Sequence, residues 1–334
     1  MCYNLLINKK GMKRMIFEKQ VLNVYKNMIC HRCDDDGTAF YYSYKDFVGL
    51  HQENYPFTSS LGHKLQGYLY HYDNVIPNRI VIFEHGFGGG HRSYFKEIER
   101  LCKEGYLVLA YDHTGCMESE GDNIRGMSQS LCDLNDCINH VKQDERFLNY
   151  DISVIGHSWG GYSTLNISAL HKDISHIVVL SGFVSVKLLV KSFFGGLLAP
   201  YRKAVINFER TLNPNTVDLD GVETLKNTNS KVLLIYSSSD QVIKKKLHYD
   251  YLYKNLSSRS NIEFLLVDNK GHNPNYTVEA VRLLGEYSKT KSKYGKKKLL
   301  VSEEQKKEFL KLFDFDKMTE QDESVWSKIF EFLK

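Results

Sequence analysis

The chain has 334 residues, of which 42% are hydrophobic and 25% are charged, and its net charge is +4. These proportions are ordinary for a globular protein, and the length suits one large domain with insertions or two domains. The small net charge favours no class of charged partner, and no apolar stretch approaches the roughly 20 residues that a membrane-spanning helix needs, so we expect neither a nucleic-acid partner nor a membrane span.

The N-terminal region shows neither a signal peptide nor a complete metal site. The apolar runs before residue 20, such as Leu5-Leu6-Ile7, are only three residues long, which is too short for the core of a signal peptide. The seven cysteines are odd in number and scattered, which favours reduced thiols and a cytoplasmic location. Cys30 and Cys33 could form half of a zinc site, but no second Cys/His pair with suitable spacing follows them, so we expect no metal.

Residues 1–60 are polar and rich in tyrosine, and we interpret them as a leading helix followed by edge strands. From Leu61 to His272, short apolar runs alternate with amphipathic segments, which predicts a mostly parallel sheet covered by helices on both faces. The predicted strands are Lys64–His71, Arg79–Glu84, Leu107–Tyr111, Ile152–Ile155, His176–Leu180, Lys231–Tyr236 and Ile262–Val267. The predicted helices are Ser93–Glu104, Ser128–Asp144, Trp159–His171, Lys244–Leu256 and one near the C-terminus.

A glycine-rich loop from His85 to Gly90 follows the second predicted strand. A strand, Gly86-Phe87-Gly88 and a helix resemble the first half of a dinucleotide-binding unit, but the third glycine of that fingerprint would fall at His91. In the other interpretation, the glycines allow backbone N–H groups to turn toward a negatively charged oxygen. We favour the second, because a dinucleotide site would leave the serine, aspartate and histidine described next unexplained.

The segment Gly156-His157-Ser158-Trp159-Gly160 has the pattern G-x-S-x-G and lies between a predicted strand and a predicted helix. A serine at such a turn is held in a strained conformation, with its hydroxyl projecting above the edge of the sheet. Glycines flank it because side chains would collide where the strand and the helix pass closest. We therefore predict that Ser158 is a nucleophile, with the backbone N–H groups of Phe87 and Trp159 binding the oxyanion.

The segment from about 183 to 229 interrupts the alternation with many apolar residues. One interpretation is a packed connecting helix. The other is a small lid whose apolar underside lines a substrate pocket. Under the second interpretation, Phe193, Phe194 and Leu197 are the predicted substrate-binding residues.

A serine nucleophile needs a base and a carboxylate that orients the base, and in hydrolases with this turn the acid follows the serine and the histidine comes last. His272, on a loop after the strand Ile262–Val267, is the predicted base. Asp240, in the turn after the strand Lys231–Tyr236, is the predicted acid. Asp268 is the alternative acid, although it borders the strand that leads to the histidine and would have to fold back on itself.

The remaining C-terminal residues predict a spacer and two helices. Lysines dominate residues 289–301, which we interpret as a solvated, flexible spacer rather than a nucleic-acid surface. Ser302 to Gln305 is typical of a capping box at the start of a helix. Thr319 is the predicted cap of a last helix, in which Val325 to Leu333 carries apolar residues at helical spacing.

Taken together, the loop at His85, the G-x-S-x-G segment, Asp240 and His272 resemble the α/β-hydrolase superfamily over about residues 61–334. Residues 112–121 are similar to the D-x-R-G-x-G-x-S-x-G loop of the branch that contains monoacylglycerol lipase-like esterases and serine aminopeptidase-like proteins. Thr114 here replaces the arginine of that loop, and Met117 replaces its second glycine.

The resemblance implies a mostly parallel sheet flanked by helices, a small helical lid at about 183–229, and a C-terminal helical insertion at about 276–317 near the histidine. It also implies hydrolysis of an ester, thioester or amide without a metal or organic cofactor. Our hypothesis is a cytoplasmic serine hydrolase with the triad Ser158, His272 and Asp240. A carboxylesterase for small-molecule esters of small or medium acyl groups fits the apolar lid, and the sequence predicts no oligomeric state.

Two alternatives stay open. A peptidase that removes N-terminal residues would need an acidic group for the α-amine of its substrate, and Glu209 and Asp218 in the lid are the candidates. A catalytically silent binding protein with the same fold would have no need of a nucleophile, a base and an acid, and all three residue types are present.

Overall fold

Eight strands form one sheet in a computed structural model that describes residues 17–334. The strands are β1 (His51–Asn54), β4 (Gly67–His71), β5 (Arg79–Glu84), β6 (Leu107–Tyr111), β7 (Asp151–His157), β8 (His176–Leu180), β9 (Lys231–Ser237) and β10 (Ile262–Val267). Their order across the sheet is β1-β4-β6-β5-β7-β8-β9-β10. β1 pairs with β4 and β4 with β6 in antiparallel register, and all other neighbours in this sheet are parallel. Two short strands, β2 (Phe57–Thr58) and β3 (Lys64–Leu65), pair in a separate hairpin.

The predicted fold class is confirmed, because helices cover both faces of this mostly parallel sheet. β5, β6, β8 and β10 have the predicted bounds, whereas the predicted strand Lys64–His71 is divided between β3 and β4. The helices are α1 (17–29), α2 (Phe95–Lys103), α3 (Gln129–Gln143), α4 (Trp159–Asn166), α5 (Val186–Phe193), α6 (Arg202–Leu212), α7 (Gly221–Lys226), α8 (Tyr249–Leu256), α9 (Val278–Lys296), α10 (Glu303–Leu310), α11 (Phe315–Met318) and α12 (Glu323–Leu333). No helix in the described part of the chain is both long and apolar enough to cross a membrane.

Strand β5 shows how the sheet is buried from both sides. Ile80 and Ile82 belong to one apolar cluster and Val81 and Phe83 to another, because successive side chains of a strand point to opposite faces. Helices α3 and α4 complete the first cluster, and α2 and α12 complete the second. The continuous apolar runs that predicted the central strands reflect this burial on two faces.

In the N-terminal region, helix α1 is followed by the edge strand β1, and residues 1–16 of the predicted leading segment lie outside the described residues. Between β8 and β9, residues 186–226 contain the three helices α5, α6 and α7. Helix α7 is packed into the core, with Val222 and Leu225 fully buried, whereas Leu197 in the turn between α5 and α6 is 93% exposed.

The predicted flexible spacer at residues 289–301 is wrong as far as residue 296, because these residues form the C-terminal part of the long helix α9. The lysines conceal an apolar stripe. Tyr287 and Tyr294, seven residues apart and therefore on one helical face, pack against the buried ring of Phe309 with ring centroids 5.7 and 5.4 Å apart. The helix is thus fixed by tertiary contacts that a charge count does not reveal.

The two predicted caps have different outcomes. The capping box at the start of α10 is present, because the side chains of Ser302 and Gln305 bond to each other's backbone N–H groups. The prediction for the last helix is wrong: Asp322, rather than Thr319, caps α12 by accepting hydrogen bonds from the N–H groups of Ser324 and Val325. Thr319 instead follows helix α11, and its hydroxyl donates to a carbonyl of that helix.

Candidate active site

Ser158 lies in the tight turn between β7 and α4, with a positive φ of +56°. Such a backbone conformation is strained for a residue with a side chain, so it persists only where the surroundings enforce it. Here the Ser158 N–H donates to the carbonyl of Leu180 at 2.9 Å. A Cβ atom at Gly160 would collide with the backbone of Glu84, which explains why glycine follows the serine at this spacing.

The structure brings Ser158, His272 and Asp240 together. The Ser158 Oγ lies 2.8 Å from His272 Nε2, and His272 Nδ1 lies 2.8 Å from Asp240 Oδ2. The other carboxylate oxygen of Asp240 accepts hydrogen bonds from the N–H groups of Val242 at 2.8 Å and Ile243 at 2.9 Å. The Asp240 side chain is fully buried, and the His272 side chain is 21% exposed. This arrangement fixes the imidazole and leaves one side of it accessible from outside.

The alternative acid, Asp268, does not contact His272. Its Oδ1 instead accepts a hydrogen bond at 2.5 Å from the hydroxyl of Ser238, the first residue after β9. Of the two carboxylates that the sequence left in competition, Asp240 is therefore the one bonded to the imidazole.

The glycine-rich loop after β5 passes directly beside Ser158. A Cβ atom at Gly86 would be only 3.4 Å from the Ser158 Cβ, and the rings of Phe87 and Trp159 meet edge to face with centroids 5.9 Å apart. Within the described residues, the backbone N–H groups of Phe87 and Trp159 have no hydrogen-bond acceptor. Both are thus available to an oxygen bound at the serine, and their predicted role in the oxyanion hole stays a prediction.

His85 is buried at the base of this loop and holds it in place. Its Nδ1–H donates to the carbonyl of Gly86 at 2.8 Å, and its Nε2 accepts from the N–H of His113 at 3.0 Å. Burial, reinforced by the neighbouring His113, lowers the pKa of His85 to about 3, so the ring is neutral at ordinary pH. With both ring nitrogens bonded to backbone groups, His85 braces the loop and is not placed to transfer a proton to or from Ser158.

The sequence analysis missed one hydrogen-bonded network that connects the site's loops. The Tyr94 hydroxyl accepts from the N–H of Gly86 at 3.1 Å and donates to His157 Nδ1 at 2.8 Å. The His157 Nε2–H in turn donates to the backbone carbonyl of His272 at 2.7 Å. Burial lowers the pKa of His157 to about 3, with the nearby His272 as the second cause, which keeps the ring neutral. Nothing in the sequence relates Tyr94 to His157, because the pairing depends on the start of α2 lying beside the end of β7 in the folded protein.

The three predicted substrate-binding residues of the lid differ in how exposed their side chains are. Phe193 is 53% exposed and Leu197 is 93% exposed, whereas Phe194 packs edge to face on Tyr25 with ring centroids 5.9 Å apart. Their role in binding substrate stays a prediction.

The two acidic candidates for an amine-binding site are both occupied by other groups. Glu209 is fully buried and accepts hydrogen bonds from the Tyr25 hydroxyl at 2.5 Å and the Met127 N–H at 2.9 Å. Asp218 pairs on the surface with Arg210 at 2.7 Å. Neither carboxylate is therefore free to hold the α-amine of a peptide.

Glu97 of α2 helps to hold the loop after His272, and its buried carboxyl makes stability depend on pH. Its Oε1 accepts from the side-chain amide of Asn275 at 3.1 Å. Burial raises the pKa of Glu97 to about 7, well above its ordinary value of 4.5. Between these values the folded protein keeps the proton that the unfolded chain releases, so stability declines as pH rises from 4.5 to 7.

We expect Glu97→Gln to remove this dependence, because glutamine keeps the acceptor and cannot ionise. The free energy of unfolding of the wild type, relative to the variant, should fall by about 3 kcal/mol between pH 4.5 and 7. Urea denaturation at a series of pH values measures it, with Glu304→Gln at an exposed site as the control that should follow the wild type. Parallel pH profiles for wild type and Glu97→Gln would contradict the assignment.

Comparisons with known proteins agree with the fold that carries this site. Residues 76–217 match the family model described as serine aminopeptidase, S33. An esterase from Pyrococcus furiosus superposes with a TM-score of 0.58 at 21% identity, over 80% of this chain and 96% of that one. An acetyl xylan esterase from Thermoanaerobacterium sp. gives 0.52 at 16% identity, over 75% and 85% of the two chains. Another acetyl xylan esterase, from Paenibacillus sp. R4, gives 0.54 at 15% identity, over 77% and 88%. The superpositions show that the chain has the fold of these esterases, and the match to the serine aminopeptidase model covers the stretch that contains Ser158.

Proposed function

We propose that this protein is a serine hydrolase that cleaves carboxylic esters of small or medium acyl groups through an acyl-enzyme. The observation that carries the proposal is the chain of two 2.8 Å contacts from the Ser158 hydroxyl through the His272 ring to the buried carboxylate of Asp240. A serine hydroxyl is a poor nucleophile alone, and these two partners supply what it needs to react at neutral pH.

In the first half of the reaction, the Ser158 Oγ attacks the carbonyl carbon of the ester while His272 Nε2 takes the hydroxyl proton. The negative charge that develops on the carbonyl oxygen is stabilised by the N–H groups of Phe87 and Trp159, each worth roughly 3 kcal/mol in such a site. The tetrahedral intermediate then collapses, the alcohol leaves with the proton returned by His272, and the acyl group stays on Ser158. Water attacks this acyl-enzyme by the same route and releases the acid.

Asp240 orients His272 and stabilises the positive charge that the ring acquires in each step. Its two oxygens have separate partners, because one is held by backbone N–H groups and only the other faces the imidazole. The imidazole therefore carries its hydrogen on Nδ1 and presents the lone pair of Nε2 to the serine, which is the tautomer that a general base requires.

An ester is favoured over a peptide with a free N-terminus because Glu209 and Asp218, the acidic residues considered for amine binding, are engaged elsewhere. The esterases among the structural neighbours support the same reaction type, at identities too low to transfer a substrate.

A fluorophosphonate probe tests the nucleophile, and a substrate panel tests the reaction class. We expect one probe adduct per chain, located by peptide mass spectrometry on the peptide that contains Ser158. Nitrophenyl esters from acetate to octanoate should be hydrolysed, and aminoacyl anilides should not. Labelling of another residue, or neither labelling nor ester hydrolysis, would contradict the proposal, and the second result would support a silent binding protein. Faster cleavage of the anilides would identify a peptidase.

A further inference from the structure

A cleft of about 470 Å³ borders the candidate active site, on a side that the sequence analysis did not consider. Two of its lining residues belong to the loops of the site: Gly88 follows Phe87, and Asn273 follows His272. Ser93 and Tyr94, just before α2, also line it, and the rest of its wall comes from residues 34–41 and 276–319, the stretch that contains α9 and α11. We name it the side cleft. Its size is within the range of pockets for small organic ligands.

Six aromatic side chains contribute to the walls of the side cleft. Its aromatic lining residues are Phe40, Tyr41, Tyr94, Tyr276, Tyr287 and Phe315. Phe40 and Phe315 stack on each other across the two segments, with ring centroids 5.2 Å apart. Rings arranged in this way offer faces and edges to another ring, and such contacts add to the burial of apolar surface.

The N-terminal wall is held firmly against the rest of the protein, so the side cleft is a built feature. Arg32 donates hydrogen bonds to the carbonyls of Met117 at 2.9 Å, Ser119 at 3.0 Å and Gly121 at 2.6 Å, in the loop after β6. On the opposite side, the Tyr287 hydroxyl of α9 donates to the carbonyl of Thr38 at 2.8 Å. Arg32 thus anchors the start of the N-terminal wall to the loop after β6.

The charged residues that line the side cleft are paired with partners. Lys291 lies 2.8 Å from Asp36, and Asp34 lies 2.9 Å from Arg32. Pairing satisfies these charges within the protein, so they favour a neutral ligand over an anion or a cation. In contrast, the exposed Leu197 of the lid offers no enclosed surface.

From these observations we infer that the side cleft, and not the underside of the lid, is the specificity pocket, and that it takes the aromatic group of an uncharged ester. The inference rests on the proposed function, because the side cleft is useful only if Ser158 attacks the carbonyl that is placed beside it. It also gives the N-terminal segment and the α9–α11 insertion a role in substrate choice.

Variants that fill the side cleft test the inference. Ala39→Trp fills it from the N-terminal wall and Leu284→Trp from α9. Leu197→Trp adds the same side chain to the lid and tests that alternative, and Leu148→Trp, at an exposed leucine just before β7, is the matched control. Thermal unfolding shows which variants are folded. Two cleft variants are made so that the test still works if one of them does not fold. kcat/KM is measured by pH-stat with ethyl acetate, ethyl octanoate, ethyl hydrocinnamate and benzyl acetate.

The wild type should prefer at least one of the two aromatic esters to ethyl octanoate by about 10-fold or more. Ala39→Trp and Leu284→Trp should lower kcat/KM for that ester by about 10-fold, while ethyl acetate changes by less than about 2-fold. Leu148→Trp should leave all four substrates near wild-type rates. The ester that loses activity shows whether the acyl or the alcohol group enters the side cleft.

Two results would overturn the inference: no preference for an aromatic ester, or loss of the aromatic ester in Leu197→Trp while the folded cleft variants retain it. Failure of the proposed function looks different, because ethyl acetate would then not be hydrolysed by the wild type and the fluorophosphonate would not react with Ser158.

Discussion

Replacement of Ser158 by alanine is expected to reduce kcat/KM for ester hydrolysis by about 10⁵-fold and to abolish fluorophosphonate labelling. The reason is that the 2.8 Å contact between the Ser158 hydroxyl and His272 Nε2 is the only route by which the imidazole can activate this residue. A small residual rate over water should persist, since the N–H groups of Phe87 and Trp159 and the substrate pocket are unchanged. The measurement is initial-rate hydrolysis of nitrophenyl acetate at enzyme concentrations high enough to detect that residual rate.

The matched control is Ser258→Ala, an exposed serine beyond the end of α8. It should keep wild-type activity and labelling. Retention of activity by Ser158→Ala, with intact mass confirming the substitution, would remove the basis of the proposed mechanism. Because Ser158 has a positive φ, thermal unfolding must also be compared, but alanine at this position removes no hydrogen bond of the backbone.

The second large effect is expected for Asp240→Asn, at about 10⁴-fold in kcat. The structure explains why an isosteric change should be so costly. Oδ1 of Asp240 accepts from the N–H groups of Val242 and Ile243, so the oxygen of the asparagine must stay on that side. Its NH₂ group then faces His272 Nδ1 and donates to it. The imidazole is forced to carry its hydrogen on Nε2, and it can no longer accept the proton of Ser158.

Asp268→Asn is the matched control, because its carboxylate bonds only to the Ser238 hydroxyl in the described structure and does not touch the imidazole. It should keep kcat within about 3-fold of the wild type, as expected for a partly exposed site away from the chemistry. Comparison of kcat for the two variants decides between the acids. A crippled Asp268→Asn beside a normal Asp240→Asn would show that the carboxylates exchange roles in the working enzyme.

Local pattern was sufficient to predict the elements that carry the candidate site. The central strands are buried on both faces, so each appears as an apolar run, and the bounds of β5, β6 and β8 could be predicted from composition alone. The bounds of β10 were predicted as well, although this strand lies at the edge of the sheet and is mostly half-buried. The turn at Ser158 was equally clear, because close approach of β7 and α4 leaves room only for glycine at its flanks. Since the ends of parallel strands meet at one edge of a sheet, the chain order of Ser158, Asp240 and His272 then predicted that they would meet.

What the tertiary structure decided are contacts between segments far apart in the chain. The choice of Asp240 over Asp268 depends on how two turns face each other. The hydrogen bond from Tyr94 to His157 spans 63 positions of the chain, and the one from His157 to the His272 carbonyl spans 115. The same applies to the lysine-rich helix α9. By itself the lysine-rich sequence from residue 289 onward indicates a solvated spacer. Tyr287 and Tyr294 contact Phe309 only because the chain turns back after α9 in the folded protein. Burial of a few aromatic side chains outweighs the local preference of a charged segment, and that burial exists only in the folded protein.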